Sequence, residues 1–177
     1  MVARRSSGFT LIEVLVVLAI AATLTALVVL RLGDLRSPDD PERLLERLAA
    51  RVTHQCEQAL FQARPRGLRF SEFGYVAWQS SAEGWRVLPQ TGPDRAQMLP
   101  ESLDIELVVS GYSVDLAEVE FDVEDLYDTG VRDVRPQVIC HPLGELTPFQ
   151  LTLAQNRDRW TLTAEANGRL TIERPDA

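Results

Sequence analysis

At 177 residues the chain has room for one globular domain plus a helical anchor. Its formal charge of −8 argues against nucleic acid, whose phosphates require a basic patch. No lysine occurs anywhere, so enzyme classes built on a lysine nucleophile or Schiff base are closed to it.

The chain opens on a basic leader with Arg4 and Arg5, followed by Gly8-Phe9-Thr10-Leu11-Ile12-Glu13 and an apolar run to Leu30 with no charge after Glu13. As a helix, Phe9 to Leu32 extends about 36 Å, enough to cross a hydrocarbon core of about 30 Å. The arginines ahead of it place the N-terminus in the cytoplasm and everything after Leu32 on the far side of the membrane. Ordinary secretory signals are cut after their apolar region, beside small residues. Here the candidate cut, Gly8–Phe9, precedes that region. Processing there removes residues 1–8 and leaves the hydrophobic helix, 9–32, on the mature chain. A carboxylate such as Glu13 costs roughly 3 kcal/mol inside a membrane helix, so it calls for a partner or a purpose; the bland alternative is that it snorkels to the headgroups.

Gly8 through Glu13 resembles the class III signal of type IV pilins and of the pseudopilins of type II secretion. The resemblance implies that prepilin peptidase cuts after Gly8 and methylates the new N-terminal amine, that of Phe9. It also implies that Glu13 meets the positively charged amine of a neighbouring subunit during assembly. At about 4 Å in a low-dielectric bundle, such a pair attracts far more strongly than in water.

Residues 33–41 read as a linker. Ser37-Pro38-Asp39-Asp40-Pro41 is a breaker cluster and predicts a kink or short break. It is also a helix start, with Asp40 as N-cap, Pro41 at the first helical position and Glu42 in the first turn. From Glu42 to Ala63, Leu45, Leu48, Val52, Cys56, Ala59, Leu60 and Ala63 recur at spacings of three and four, which predicts one buried helical stripe. After Arg64-Pro65-Arg66-Gly67 the pattern turns to short strands: Leu68–Phe70, Tyr75–Gln79, Trp85–Leu88, Asp104–Val109, Glu118–Val123, Gln137–Cys140, Phe149–Leu153, Trp160–Ala164 and Leu170–Glu173. Asn167-Gly168 signals a two-residue hairpin between the last pair. Gln90–Pro100 and the acidic Ser110–Pro136 read as loops. Phe61, Phe70, Tyr75, Trp78, Trp85, Phe149 and Trp160 are core candidates by their place on periodic segments, with some left for subunit contacts. The fold class is α+β: a long N-terminal helix, transmembrane and then amphipathic, packed against a head of short antiparallel strands spanning residues 42–177.

Arg66-Gly67-Leu68-Arg69-Phe70, Tyr75, Trp85, Gly144–Leu153 and Gly168-Arg169-Leu170 are similar to the H-type minor pseudopilin of type II secretion, over most of the head. The resemblance implies a pilin-like, β-sandwich-like periplasmic head and a bacterial inner-membrane anchor crossing once. It also implies a structural role near the tip of a pseudopilus that drives folded proteins through the outer membrane. The implied partners are the other minor pseudopilins and the major pseudopilin; no cofactor is implied. Glu13 argues against the K-type tip subunit, which lacks that acid. The alternatives are a minor pilin of a type IV pilus or DNA-uptake system, and a membrane-anchored periplasmic enzyme.

All four histidines and cysteines fall in two clusters, His54-x-Cys56 and Cys140-His141. A Cys₂His₂ zinc site needs four converging ligands, whereas residues two apart on a helix, or adjacent on a strand, point away from each other. A Cys56–Cys140 disulfide needs only one residue from each cluster and suits an oxidising compartment; two separate buried thiols are the open alternative. No Gly-x-Ser-x-Gly elbow, His-Glu-x-x-His pair or cysteine-protease signature accompanies His54 or His141, so no hydrolase is expected. The acidic loop lacks the pattern and glycine of an EF-hand and reads as a solvated charged segment.

Overall fold

The computed structural model describes residues 11–32, 39–119, 131–132 and 135–175, with side chains omitted at 26–32 and 131–132. The chain divides into two compact units, Met1–Ser37 and Pro38–Ala177.

The first unit contains helix α1, Leu11–Leu32, with Glu13 in its first turn. Leu11, Ile12, Val14, Leu15, Val16, Val17 and Leu18 are all exposed, so apolar side chains cover every side of this helix rather than one stripe. Its polar hydroxyls turn inward: Thr23 Oγ1 donates to Ile20 O at 2.9 Å, and Thr25 Oγ1 to Ala21 O at 2.7 Å. Among the described residues no helix is long and apolar enough to cross a membrane. The described side chains of α1 stop at Thr25, and residues 1–10, with Gly8 and Phe9, lie outside the described residues, as does the linker at 33–38.

The second unit begins where local chemistry dictates a helix start. Asp40 Oδ1 accepts from Glu42 N at 3.1 Å, Pro41 occupies the first helical position, and α2 runs Pro41–Gln62. It ends because Ala63 turns left-handed (φ 50°) and Pro65 follows. Its buried face is Leu44, Leu45, Leu48, Val52, Gln55 and Ala59. The expected stripe drifts from this after Val52: Cys56 is only half-buried, and Leu60 and Ala63 are exposed. The amide of Gln55 takes the place assigned to an apolar side chain, because two polar partners meet it below the helix.

Two antiparallel sheets complete the head. The first comprises β1 (Arg66–Ser71), β2 (Gly74–Ser80), β3 (Trp85–Val87), β4 (Gln97–Met98), β7 (Val131–Arg132) and β8 (Val138–Cys140), in the order β7-β3-β2-β1-β8 with β4 on β2. The second comprises β5 (Asp104–Val109), β6 (Tyr112–Val114), β9 (Phe149–Gln155), β10 (Asp158–Ala164) and β11 (Leu170–Glu173), in the order β11-β10-β9-β5-β6. Alternation sets their faces: in β9, Phe149, Leu151 and Leu153 are buried while Gln150 is exposed. The α2 stripe shares one core with Leu68, Phe70, Tyr75 and Ala77 of the first sheet and Leu107, Phe149, Leu151, Leu153 and Leu162 of the second. Val76, Trp78 and Val87 form a smaller cluster with Trp85 and Ala96, on the opposite side of β2 by the strand period.

Several sequence expectations are corrected. Gln90–Pro100 contains β4 and a 3₁₀ turn, Gly92–Asp94, and Ser110–Pro136 contains β6 and β7. The strand expected at Glu118–Val123 does not begin at Glu118 or Val119, and its remainder lies outside the described residues. At the last hairpin Glu165 N donates to Arg169 O and Gly168 N to Glu165 O, both at 2.9 Å, so Ala166 joins Asn167 and Gly168 in the loop. Gly168 supplies the positive φ there, 83°.

Candidate functional site

Among the described residues of the head no catalytic constellation assembles. His54 Nε2 lies 4.0 Å from Asp94 Oδ1, half-exposed, with no serine or thiolate nucleophile recorded beside it. Both cysteines are joined to each other, which removes them as thiolate ligands, and among the described residues no group of three or more His, Cys, Asp and Glu could hold a metal ion. The acidic segment lies largely outside the described residues; within them, Asp115 Oδ1 caps a turn at Ala117 N, 3.1 Å away. A shallow concavity of about 350 Å³ beside Glu72, Phe73, Glu101 and Asp104 contains acids but no base to pair with them.

The head is instead organised around its pins. Cys56 of α2 and Cys140 of β8 are bonded, with Cα atoms 4.9 Å apart and 84 residues between them in sequence. Arg66 is the register partner of Cys140 on one side and of Gln79 on the other. Its side chain, 6% exposed, points to the same helix. Arg66 Nη1 donates to Gln55 Oε1 at 3.0 Å and to Asp94 Oδ1 at 3.4 Å, and Nη2 to Gln62 Oε1 at 3.4 Å. Gln55 Nε2 donates to Asp94 Oδ1 at 2.7 Å, and Gln79 Nε2 to Gln62 Oε1 at 2.6 Å. Burial pushes the Arg66 pKa down and Asp94 pulls it partly back, so the carboxylate offsets part of the cost of desolvating the guanidinium. Arg66 Nε finds no partner, a desolvation cost that the other contacts offset.

Further pins lie along α2. Arg51 donates from Nη1 to Arg95 O and stacks 5.6 Å from the Tyr75 ring centroid. Arg174 Nε donates to Glu42 Oε1 at 2.7 Å, tying the last strand to the helix start. Tyr75, 1% exposed, packs 5.5 Å from Phe70 with its hydroxyl unpartnered; burial raises its pKa to about 12, opposed by Arg51 and Arg47.

Glu13 lies on the exposed surface of α1. Of the aromatic core candidates, Phe70, Tyr75, Trp78 and Phe149 are buried, Trp85 and Trp160 half-buried, and Phe61 is 87% exposed. Phe61 lies two residues from the fully buried Ala59 and so points to the opposite side of α2, away from the core. The sequence marks Arg66 only by its place after the helix and in the family resemblance, and it gives no sign that Gln55, Arg66 and Asp94 meet; the position of Gln55 beside the apolar stripe is the one hint of a buried amide.

Residues 3–29 match the prokaryotic N-terminal methylation motif. The chain is 31% identical over 152 residues to type II secretion system protein H of Pseudomonas aeruginosa, covering 86% of this chain and 85% of that one. It is 29% identical over 174 residues to type II secretion system protein H of Aeromonas hydrophila, covering 95% and 93%. In fold it is similar to a structure of the minor pseudopilin EpsH from the type 2 secretion system of Vibrio cholerae, at a TM-score of 0.59 and 23% identity, over 77% of this chain and 96% of that one. It is also similar to the solution structure of Escherichia coli GspH, at a TM-score of 0.52 and 20% identity, over 74% and 85%.

Proposed function

We propose how this chain, which belongs to the type II secretion system protein H family and is therefore a structural minor pseudopilin, is made, anchored and assembled. The precursor is cut between Gly8 and Phe9 by prepilin peptidase, and Phe9 is methylated. The apolar helix α1 anchors the mature chain in the inner membrane as a single pass, with the head in the periplasm. Support comes from the methylation motif over residues 3–29 and from a helix with apolar side chains on all sides. Glu13 then pairs with the N-terminal amine of a neighbouring subunit. Its position in the first turn of α1, among exposed apolar residues, supports this, since a carboxylate in a membrane helix is costly and marks a functional position.

The head works by contact rather than by chemistry. Its partners are the other minor pseudopilins near the tip and the major pseudopilin below. The observation that carries this reading is the extent of the match to a type II secretion protein H, across anchor and head alike. The test pairs two variants in secreting cells. Intact-mass measurement of the wild-type chain should find Phe9 at the N-terminus, heavier by one methyl group, and Gly8→Val should retain the leader. Glu13→Gln keeps the shape and removes the charge, so insertion should stay normal while incorporation into the pseudopilus and secretion fall. A mature chain beginning at Met1 overturns the processing step; full secretion by Glu13→Gln overturns the charge pairing.

A further inference from the structure

An anchored subunit that pushes or is pushed must pass axial load between its membrane helix and its head, and along the chain that load enters the head at Pro41, the start of α2. The first turns of α2 are held mainly by apolar packing of Leu44, Leu45 and Leu48, which resists separation but is non-directional, with an exposed pair, Glu42–Arg174, at the helix start. The far turns are held differently. Gln55, Cys56 and Gln62 are fixed, by a covalent bond or by buried and part-buried polar contacts, to one row of three adjacent strands: Gln79 of β2, Arg66 of β1 and Cys140 of β8. Asp94, from the 3₁₀ turn, closes the same group from a fourth segment.

We propose that this row is the load-bearing clamp of the head, with the Cys56–Cys140 bond and the Arg66 guanidinium as two independent locks that stop α2 from sliding along the first sheet. The placement suits that task. Both locks lie on neighbouring residues of the helix, and both land on register partners, so a pull on α2 is shared across β2, β1 and β8 rather than concentrated on one strand. Charged hydrogen bonds and covalent bonds have fixed geometry, so they resist axial sliding where apolar packing does not. The bond is made only after the head reaches an oxidising compartment, so the reduced chain has one lock and the oxidised chain two. This inference rests on the reading of the chain as an anchored subunit under load.

The test is optical-tweezers pulling of the full chain in detergent micelles, tethered through peptide tags at both termini and held at constant load. With the bond intact Cys56 cannot leave β8 under load, so treatment with a phosphine reductant should release it and shorten the lifetime of α2 on the first sheet by about 10-fold or more. In the reduced chain, a double variant, Arg66→Met with Asp94→Leu, should shorten it further by about 10-fold or more. Changing both members leaves no unpaired buried charge, although the buried Gln55 amide loses both partners, and far-ultraviolet circular dichroism checks that the fold is kept. Unchanged lifetimes on reduction and in the double variant overturn the proposal, as does opening of β9 and β10 before α2 in every form. Pulling does not involve the pseudopilus, so its outcome is separate from any failure of Glu13→Gln to lower secretion.

Discussion

Reducing the Cys56–Cys140 bond should destabilise the head more than any surface substitution. The bond closes a sequence separation of 84 residues, and in the chain-entropy model a loop of that size removes about 4–5 kcal/mol of freedom from the unfolded state. Marginal domains are stable by only about 5–15 kcal/mol, so the loss is a large share of the total. With a slope of about 1.5 kcal/mol per molar urea, it moves the unfolding midpoint down by about 3 M. The assay is urea unfolding of the full chain in mild detergent, followed by tryptophan fluorescence, with and without reductant. Cys56→Ser/Cys140→Ser should unfold like the reduced wild type and be indifferent to reductant. Non-reducing peptide mapping should find Cys56 joined to Cys140. Two thiols that alkylate fully under denaturing, non-reducing conditions refute the pairing; a midpoint shift under about 0.5 M refutes the entropic argument.

Two further outcomes follow from single residues. The Tyr75 hydroxyl is buried and unpartnered, and its pKa is raised from the ordinary value to about 12. The folded state therefore keeps a proton that the unfolded state releases from about pH 10 upward, and stability falls by about 1.4 kcal/mol per pH unit between pH 10 and 12. Tyr75→Phe should abolish that slope and leave stability at pH 8 unchanged or slightly raised, as denaturation at pH 8 and 11 would show. A slope that persists in Tyr75→Phe assigns it to another group. Asp40→Ala removes the N-cap of α2 and should cost about 1 kcal/mol, with Asp40→Ser recovering most of it. Equal unfolding midpoints for Asp40→Ala and wild type contradict the capping role.

The parts of the fold legible in the sequence are those whose causes lie within a few residues. Asp40, Pro41 and Glu42 announce the start of α2 because a cap, a fixed φ and a first-turn acid act locally. The strand of Asp104–Val109 and the alternation of β9 were legible from period alone. The β6 strand was missed although Ser110 and Gly111 form its turn, with φ of 53° and 86° between the partners Val109 and Tyr112. The acid-rich stretch after it made Ser110–Pro136 read as a loop with its one strand at Glu118–Val123. Asn156, φ 58°, marks the turn that lets β9 and β10 run to Gln155 and Asp158, beyond their expected ends. The network of Gln55, Arg66, Asp94 and Gln79 was invisible for a different reason. Its members come from one helix, two strands and a 3₁₀ turn, and only the folded chain makes them neighbours. The exposure of Phe61 was legible from phase, since it stands off the stripe that contains Ala59 and only its aromatic character suggested the core.

The central claim, that this chain is a structural subunit on which type II secretion depends, is tested most directly by measuring exported protein in the culture medium of a strain lacking its gene. Folded exoprotein should accumulate in the periplasm, and the wild-type chain should restore export. Undiminished export in the absence of the chain would contradict it.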